Sequence, residues 1–278
     1  MELADRVVVI TGAGSGIGEA LARAAAAEGA RHVVVADLDG GAATSVASSI
    51  GGTAVEIDVR DEAAIIAMVE ATEAAHGPID LFVSNAGYVT AGGLEDPNDR
   101  IQHMWEVHVM AHMYAARAVL PSMIARGEGY LLNTASAAGL LSQIGSMSYS
   151  VTKAAAVSFA EWVSISHHHQ GIRVSVLCPQ AVATNIVRNS PTASLRSDDG
   201  LEGGVAAGDG VLSSEDVAAE CLAAIRDERF LVLPHPEVAK YAERKGADRE
   251  RWLAGMRRFQ GILAGDGPLP GDAMAPKR

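Results

Sequence analysis

Aromatic side chains are scarce in this sequence: Phe, Trp and Tyr together supply 4% of its 278 residues. With few large rings, the core has to close on small and branched aliphatic side chains, and Ala and Gly are correspondingly abundant. Cysteine is almost missing. Cys178 and Cys221 stand alone and fit neither a metal-ligand spacing nor a disulfide framework, so free thiols in a reducing compartment are expected. Positive charge is in deficit, with 22 Lys and Arg against 34 Asp and Glu and a net charge of −12. That balance leaves no electrostatic footprint for nucleic acid or an anionic membrane. No apolar run approaches the roughly 18 residues of a spanning helix. The short polar lead "MELAD" passes into a strand-like run without the pattern of a signal peptide. A soluble, cytoplasmic protein is the expectation.

What is present is a globular composition, 49% apolar and 20% charged, in a chain long enough for a substantial core. Short Val/Ile/Leu runs read as strands at 7–11, 32–37, 53–58, 80–85, 130–135, 173–179 and 230–234. Most are continuously apolar, as strands covered on both faces of a parallel sheet are. Ala-rich segments of helical length lie between them, including 17–28, 61–76, 98–126 and 146–170. This alternation predicts a doubly wound α/β fold. The Gly-, Ser- and Asp-rich stretch 185–212 breaks the pattern and reads as a lid or loop. Ser213 then caps a helix with Asp216 three residues on. A last helix is expected near 236–263, followed by a disordered tail, 264–278, so that residues 1–263 form a single domain.

The first strand runs into "TGAGSGIG" and then a helix. Glycines at such a turn, Gly12, Gly16 and Gly18 with Ser15 and Ile17 among them, let the backbone approach a pyrophosphate. Free N–H groups and the helix dipole then meet its charge. Tight packing alone would also account for a Gly-rich turn. Asp37 ends the second strand 19 residues after Gly18. A carboxylate there accepts hydrogen bonds from adenosine ribose hydroxyls and repels a 2′-phosphate, which favours NAD over NADP. Asp39 is a nearby competitor, and a turn aspartate is the plainer reading. In "SYSVTK", Tyr149 and Lys153 share one helix face at i and i+4.

With "TGAGSGIG", "NAG" (85–87), "NTASAAG" (133–139) and "YSVTK" (149–153) in this order, the chain resembles the classical short-chain dehydrogenase/reductase family over roughly residues 4–235. The resemblance implies a Rossmann-type three-layer fold with a parallel sheet of about seven strands. It also implies an NAD(P)-dependent alcohol dehydrogenase or ketoreductase, with NAD favoured. Tyr149 matches the catalytic acid/base; a phenol of pKa about 10 needs a neighbouring ammonium to favour its phenolate. Lys153 matches the lysine that tunes the tyrosine and binds the nicotinamide ribose. Ser136, 13 residues before Tyr149, matches the serine that holds the substrate oxygen. Asn85, Ala86 and Gly87 resemble the segment near the adenine-side ribose, and Asp58 and Val59 the adenine contact. Pro179, Val182 and Thr184 resemble the loop against the nicotinamide carboxamide.

Two positions depart from the family pattern. Where the family places an asparagine in its fourth helix, as part of a proton relay through the lysine, this chain has His108. An imidazole has one donor and one acceptor when neutral and could preserve such a relay, while the alternative is a helix histidine facing solvent or a neighbouring subunit. Where the family more often has Pro-Gly, this chain has Pro179-Gln180, and Gln180 either contacts substrate or fills a surface turn. Leu140, Leu141, Gln143, residues 89–94, Gln180 and the 185–212 stretch are the candidate substrate pocket, apolar enough for a hydrophobic substrate, cyclic ones included. Three consecutive histidines, 167–169, point in different directions on a helix and read as surface residues rather than metal ligands; no metal is expected. The amphipathic segment 251–260 reads as packing on the domain or another subunit.

The leading expectation is an oxidoreductase that interconverts a secondary alcohol and a ketone. The alternatives are an epimerase or dehydratase on the same scaffold, and a non-catalytic NAD-binding sensor or scaffold protein. The resemblance further implies a homotetramer or homodimer whose interface uses the helices 98–126 and 146–170.

Overall fold

The computed structural model describes residues 1–184, 186, 208–265 and 267. In chain order its elements are β1 (Val7–Thr11), α1 (Gly16–Ala27), β2 (His32–Asp37), α2 (Gly40–Ile50), β3 (Thr53–Glu56), α3 (Glu62–His76), β4 (Leu81–Ser84) and α4 (Asn98–Trp105). A π-helical turn (Glu106–Met110) leads into α5 (Ala111–Arg126), then β5 (Gly129–Thr134), α6 (Ala137–Leu141), α7 (Met147–His167) and a 3-10 turn (His168–Gln170). The chain continues through β6 (Ile172–Leu177), α8 (Ser214–Arg226), β7 (Leu231–Val232), α9 (Glu237–Ala247) and α10 (Arg249–Ala264). Most of the 185–212 stretch and of the 264–278 tail lies outside the described residues.

The seven strands form one parallel sheet in the order β3-β2-β1-β4-β5-β6-β7. Each strand contributes alternate side chains to opposite faces, and both faces are apolar because helices cover both. Val7 and Val9 of β1 point into the layer built by α3, α5 and α7, with Ile65, Val119 and Ala160 in its core. Val8 and Ile10 point into the layer of α1, α2 and α8, with Leu21, Val46 and Ile225. The chain reverses direction across the sheet between β1 and β4, which opens a crevice at the carboxyl ends of those strands.

Helix starts follow their capping residues. The Asp39 carboxylate accepts from the Ala42 N–H, so this competitor of Asp37 is the N-cap of α2. Asp61 caps α3 through two N–H groups, and Ser213 caps α8 through the Asp216 N–H at 3.0 Å. The helix expected near 236–263 is two helices. Asp248 takes an extended backbone (φ −149°) between α9 and α10, and its carboxylate accepts the Arg251 N–H to start the second. Both cysteines are free and buried, Cys178 in one layer and Cys221 in the other, and burial pushes each thiol up to about 12. No described helix is long and apolar enough to cross a membrane.

Candidate functional site

The β1–α1 turn has the shape its glycines require. Gly12 and Gly16 adopt φ of +62° and +58°, a region side chains disfavour. A Cβ on Gly18 would lie 2.2 Å from the Gly12 carbonyl oxygen. Ser15 precedes α1 with no side-chain cap bond, so the first N–H groups of the helix are open to an anion. The Asp37 carboxylate accepts the Gly14 N–H at 2.8 Å and the Asp39 N–H at 3.0 Å, bracing the turn from the end of β2. These features fit a dinucleotide: a cradle of bare backbone, a helix N-terminus and a carboxylate 19 residues on.

Asn85 clasps three strand ends. Its side-chain amide donates to the Thr11 and Gly12 carbonyls, its Oδ1 accepts from the Thr134 hydroxyl at 3.1 Å, and its backbone N–H donates to Thr11 Oγ1. Ala86 adds a second N–H to Thr11 Oγ1. Thr11 thus anchors the crevice, a role its place at the head of the glycine motif could have signalled. Asp58 is paired with the Arg60 guanidinium at 2.5 Å and held below the usual carboxylate range by that bond, its side chain still about a third exposed; Val59 beside it is buried. Across the crevice, Thr184 comes close to Gly16, whose added Cβ would lie 3.1 Å from the Thr184 methyl. The Pro179 carbonyl accepts the Ala137 N–H, and Val182 bridges to Leu212. The glycine turn and the 179–184 loop therefore line one cleft.

At its centre lie the buried groups from β5, α6 and α7. Ser136, two residues after β5, is the N-cap of α6, its hydroxyl accepting the Ala138 N–H at 3.1 Å. Tyr149 and Lys153 occupy one face of α7, the Lys153 ammonium 5.7 Å from the Tyr149 ring centre, and both are under a tenth exposed. The ammonium donates to the Thr134 carbonyl at 2.8 Å and keeps two further N–H groups. Burial pulls its pKa down to about 8. The Tyr149 phenol is raised above its ordinary value by burial, with the facing Ser136 hydroxyl working the other way. The sequence leads one to expect a tyrosine lowered by the ammonium; in the protein alone it is raised, because desolvation dominates.

His108 sits in the π-helical turn and is fully buried, so it faces neither solvent nor a neighbour. Its ring meets Tyr149 edge-on, the centroids 5.6 Å apart. Gly87 is the point of closest approach: a Cβ there would lie 3.1 Å from His108 Nε2 and 3.5 Å from Lys153 Nζ.

Val89, Met104 and Ala138 pack with Tyr149 in a small apolar cluster, with Tyr88 and Ile186 against it. The 90–96 segment is tied to the start of α7. Gly92 exchanges backbone bonds with Gly145 and Met147 (3.0 Å each), Ser146 Oγ donates to the Thr90 carbonyl, and Ser148 Oγ donates to Asp96 at 3.4 Å. Gln143 is fixed through its backbone to Ser150 Oγ, and Leu140 packs on the core while its carbonyl accepts from Lys245. The Gln180 side chain donates to Asp209 Oδ2 at 2.9 Å, and Tyr241 of α9 donates to the same carboxylate. The Gln180 N–H donates to His235 Nδ1. Asp209, Tyr241 and His235 carry no motif, and only the fold reveals their meeting with Gln180. The histidines 167–169 lie at the outer end of α7, where His167 Nδ1 pairs with Gln170.

A family model described as short chain dehydrogenase matches residues 6–194. The chain belongs to the short-chain dehydrogenase family. Its fold agrees with the crystal structure of a short-chain dehydrogenase/reductase from Burkholderia phymatum in complex with NAD. That match has a TM-score of 0.78 and 32% identity, and covers 90% of this chain and 96% of that one. The 1-deoxy-11-beta-hydroxypentalenate dehydrogenase of Streptomyces exfoliatus is 34% identical over 85% of this chain and 86% of its own length. The 2-keto-3-deoxy-L-fuconate dehydrogenase of Xanthomonas campestris is 36% identical over 63% of this chain; the match spans 58% of that protein. This short-chain dehydrogenase is thus an oxidoreductase of the nicotinamide-dependent type.

Proposed function

We propose that this short-chain dehydrogenase interconverts a secondary alcohol and its ketone with NAD, using Tyr149 as acid/base. The observation that carries the reading is the convergence of Ser136, Tyr149 and Lys153, all buried, beside a glycine turn that fits a dinucleotide. When bound, the nicotinamide supplies or accepts the hydride. Gly12, Ser15, Gly16, Ile17 and Gly18 hold its pyrophosphate, and Asp37 receives the adenosine ribose hydroxyls; both carboxylate oxygens keep lone pairs beyond the Gly14 and Asp39 bonds. The same carboxylate repels a 2′-phosphate, which supports NAD over NADP. Pro179, Val182 and Thr184 would hold the nicotinamide end, and the two N–H groups Lys153 keeps beyond its bond to Thr134 would serve the ribose.

Ser136 holds the carbinol oxygen by donating its hydroxyl proton. Tyr149 takes the alcohol proton during oxidation and returns it during reduction. Burial keeps Tyr149 protonated in the protein alone, and positive charge beside it, from the Lys153 ammonium and from an oxidised nicotinamide, would favour its phenolate. The apolar cluster of Val89, Met104, Ala138 and Tyr88 favours a hydrophobic alcohol.

NAD reduction over a panel of secondary alcohols, with Tyr149→Phe alongside, tests the reading. Turnover is expected to fall by about 10²–10⁴ in the variant, with NAD affinity retained. Equal turnover by Tyr149→Phe, or a preference for NADP, would sink the corresponding part.

A further inference from the structure

We propose that His108 is a positioning residue, a neutral strut with its proton on Nδ1 that works through Thr152 to join the cofactor-side loop 85–88 to the turn of α7 carrying Tyr149 and Lys153. The inference rests on the dehydrogenase reading for its purpose, but its geometry stands apart from turnover.

The hydrogen-bond directions leave little choice. The Tyr88 backbone N–H donates to His108 Nε2 at 3.2 Å, so that nitrogen carries no proton. A neutral imidazole then has its proton on Nδ1, which lies 3.0 Å from Thr152 Oγ1. The Thr152 hydroxyl accepts it and donates its own hydrogen to the carbonyl of Ser148 at 2.9 Å or Tyr149 at 3.2 Å. One chain of donors runs from the loop after β4, across the π-helical turn, into the backbone beneath the tyrosine. Both ring nitrogens are used. A relay would need a nitrogen free to take a proton and release it, and Thr152, one residue before the lysine, is the partner that fills that place.

The surroundings keep the ring neutral. Protonation at Nε2 would set an N–H against the Tyr88 N–H. The groups facing His108 are Lys153 and Tyr149 from α7, Tyr88 from the loop, His103 from α4 and His112 one turn along its own helix. None of them is an anion, and burial with the Lys153 charge drives its pKa well below the ordinary value. Gly87 lets the strut and the ammonium meet the loop at close range.

Two measurements test this. In the protein labelled with ¹⁵N-histidine, long-range ¹H–¹⁵N correlations, assigned by loss in His108→Asn, are expected to show a bare Nε2 and protonated Nδ1 unchanged from pH 5.5 to 9. A proton on Nε2, or titration within that range, would overturn the proposal. Second, Thr152→Val, which removes the hydroxyl at constant shape, is expected to weaken NAD binding and lower kcat by about tenfold each, the loss of one buried hydrogen bond. The pH profile should keep its shape and Thr152→Ser should restore both values. A profile whose shape changes in Thr152→Val would mark a relay and overturn the strut. The labelling and nucleotide-binding readouts report on it even if no alcohol in the panel turns over.

Discussion

Lys153 carries a charge into a place where water does not follow, and the consequences are measurable. Its folded pKa of about 8 lies below the ordinary 10.5, so between those values the unfolded chain keeps a proton the folded chain has released. Stability therefore rises with pH across that window, while below about 8 the full penalty of the buried charge is present. Thermal melts of wild type and Lys153→Met from pH 7 to 10 are expected to show the wild type gaining on the variant above pH 8. Tyr149 sets a second dependence with opposite effects on the two directions of reaction. Oxidation needs the phenolate and reduction the phenol, and burial raises the tyrosine. Initial rates should climb with pH for alcohol oxidation and fall over the same alkaline range for ketone reduction. The pair itself was legible at i and i+4, because a helix face is a matter of spacing. The sign of the tyrosine's shift was not, because desolvation depends on what the fold packs around it.

Among the elements, the β1–α1 turn is the most exacting. A methyl group at Gly18 has the Gly12 carbonyl and the Asn85 amide in its way, at 2.2 and 2.7 Å. Gly18→Ala is expected to abolish NAD binding in a fluorescence titration, or to destabilise the chain by about 1–3 kcal/mol if the turn gives way instead. An unchanged affinity and melting temperature would contradict that crowding. The strands could be read to within a residue or two, since side chains buried on both faces leave an unbroken apolar run between turns. The break at Asp248 was hidden by an amphipathic pattern that continues through it. So was the π-helical turn at Glu106–Met110, whose extra residue leaves no mark on a sequence that stays helical on either side. His108 could be recognised as a departure, but its partners Tyr88 and Thr152 come from other elements and needed the fold.

For the whole molecule, α7 has a second face turned away from the site. Val151, Trp162 and Ile165 lie along one stripe of it at 52, 60 and 81% exposure, a large apolar surface for a chain so poor in aromatics. We propose that this stripe meets a second copy. Light scattering on a sizing column is expected to give a multiple of 28.8 kDa for the wild type and a smaller assembly for the Trp162→Glu, Ile165→Glu double variant. A wild type that runs as a monomer would refute the interface. The same helix has a bearing on how the enzyme can be altered. The 90–96 segment, a candidate pocket segment, is laced by backbone and hydroxyl bonds to residues 145–148, which lead directly into Tyr149. A redesign of that segment to admit a bulkier alcohol will therefore shift proton transfer with it. The segment around Gln180, secured instead through the Gln180–Asp209–Tyr241 contacts, is the better place to change preference.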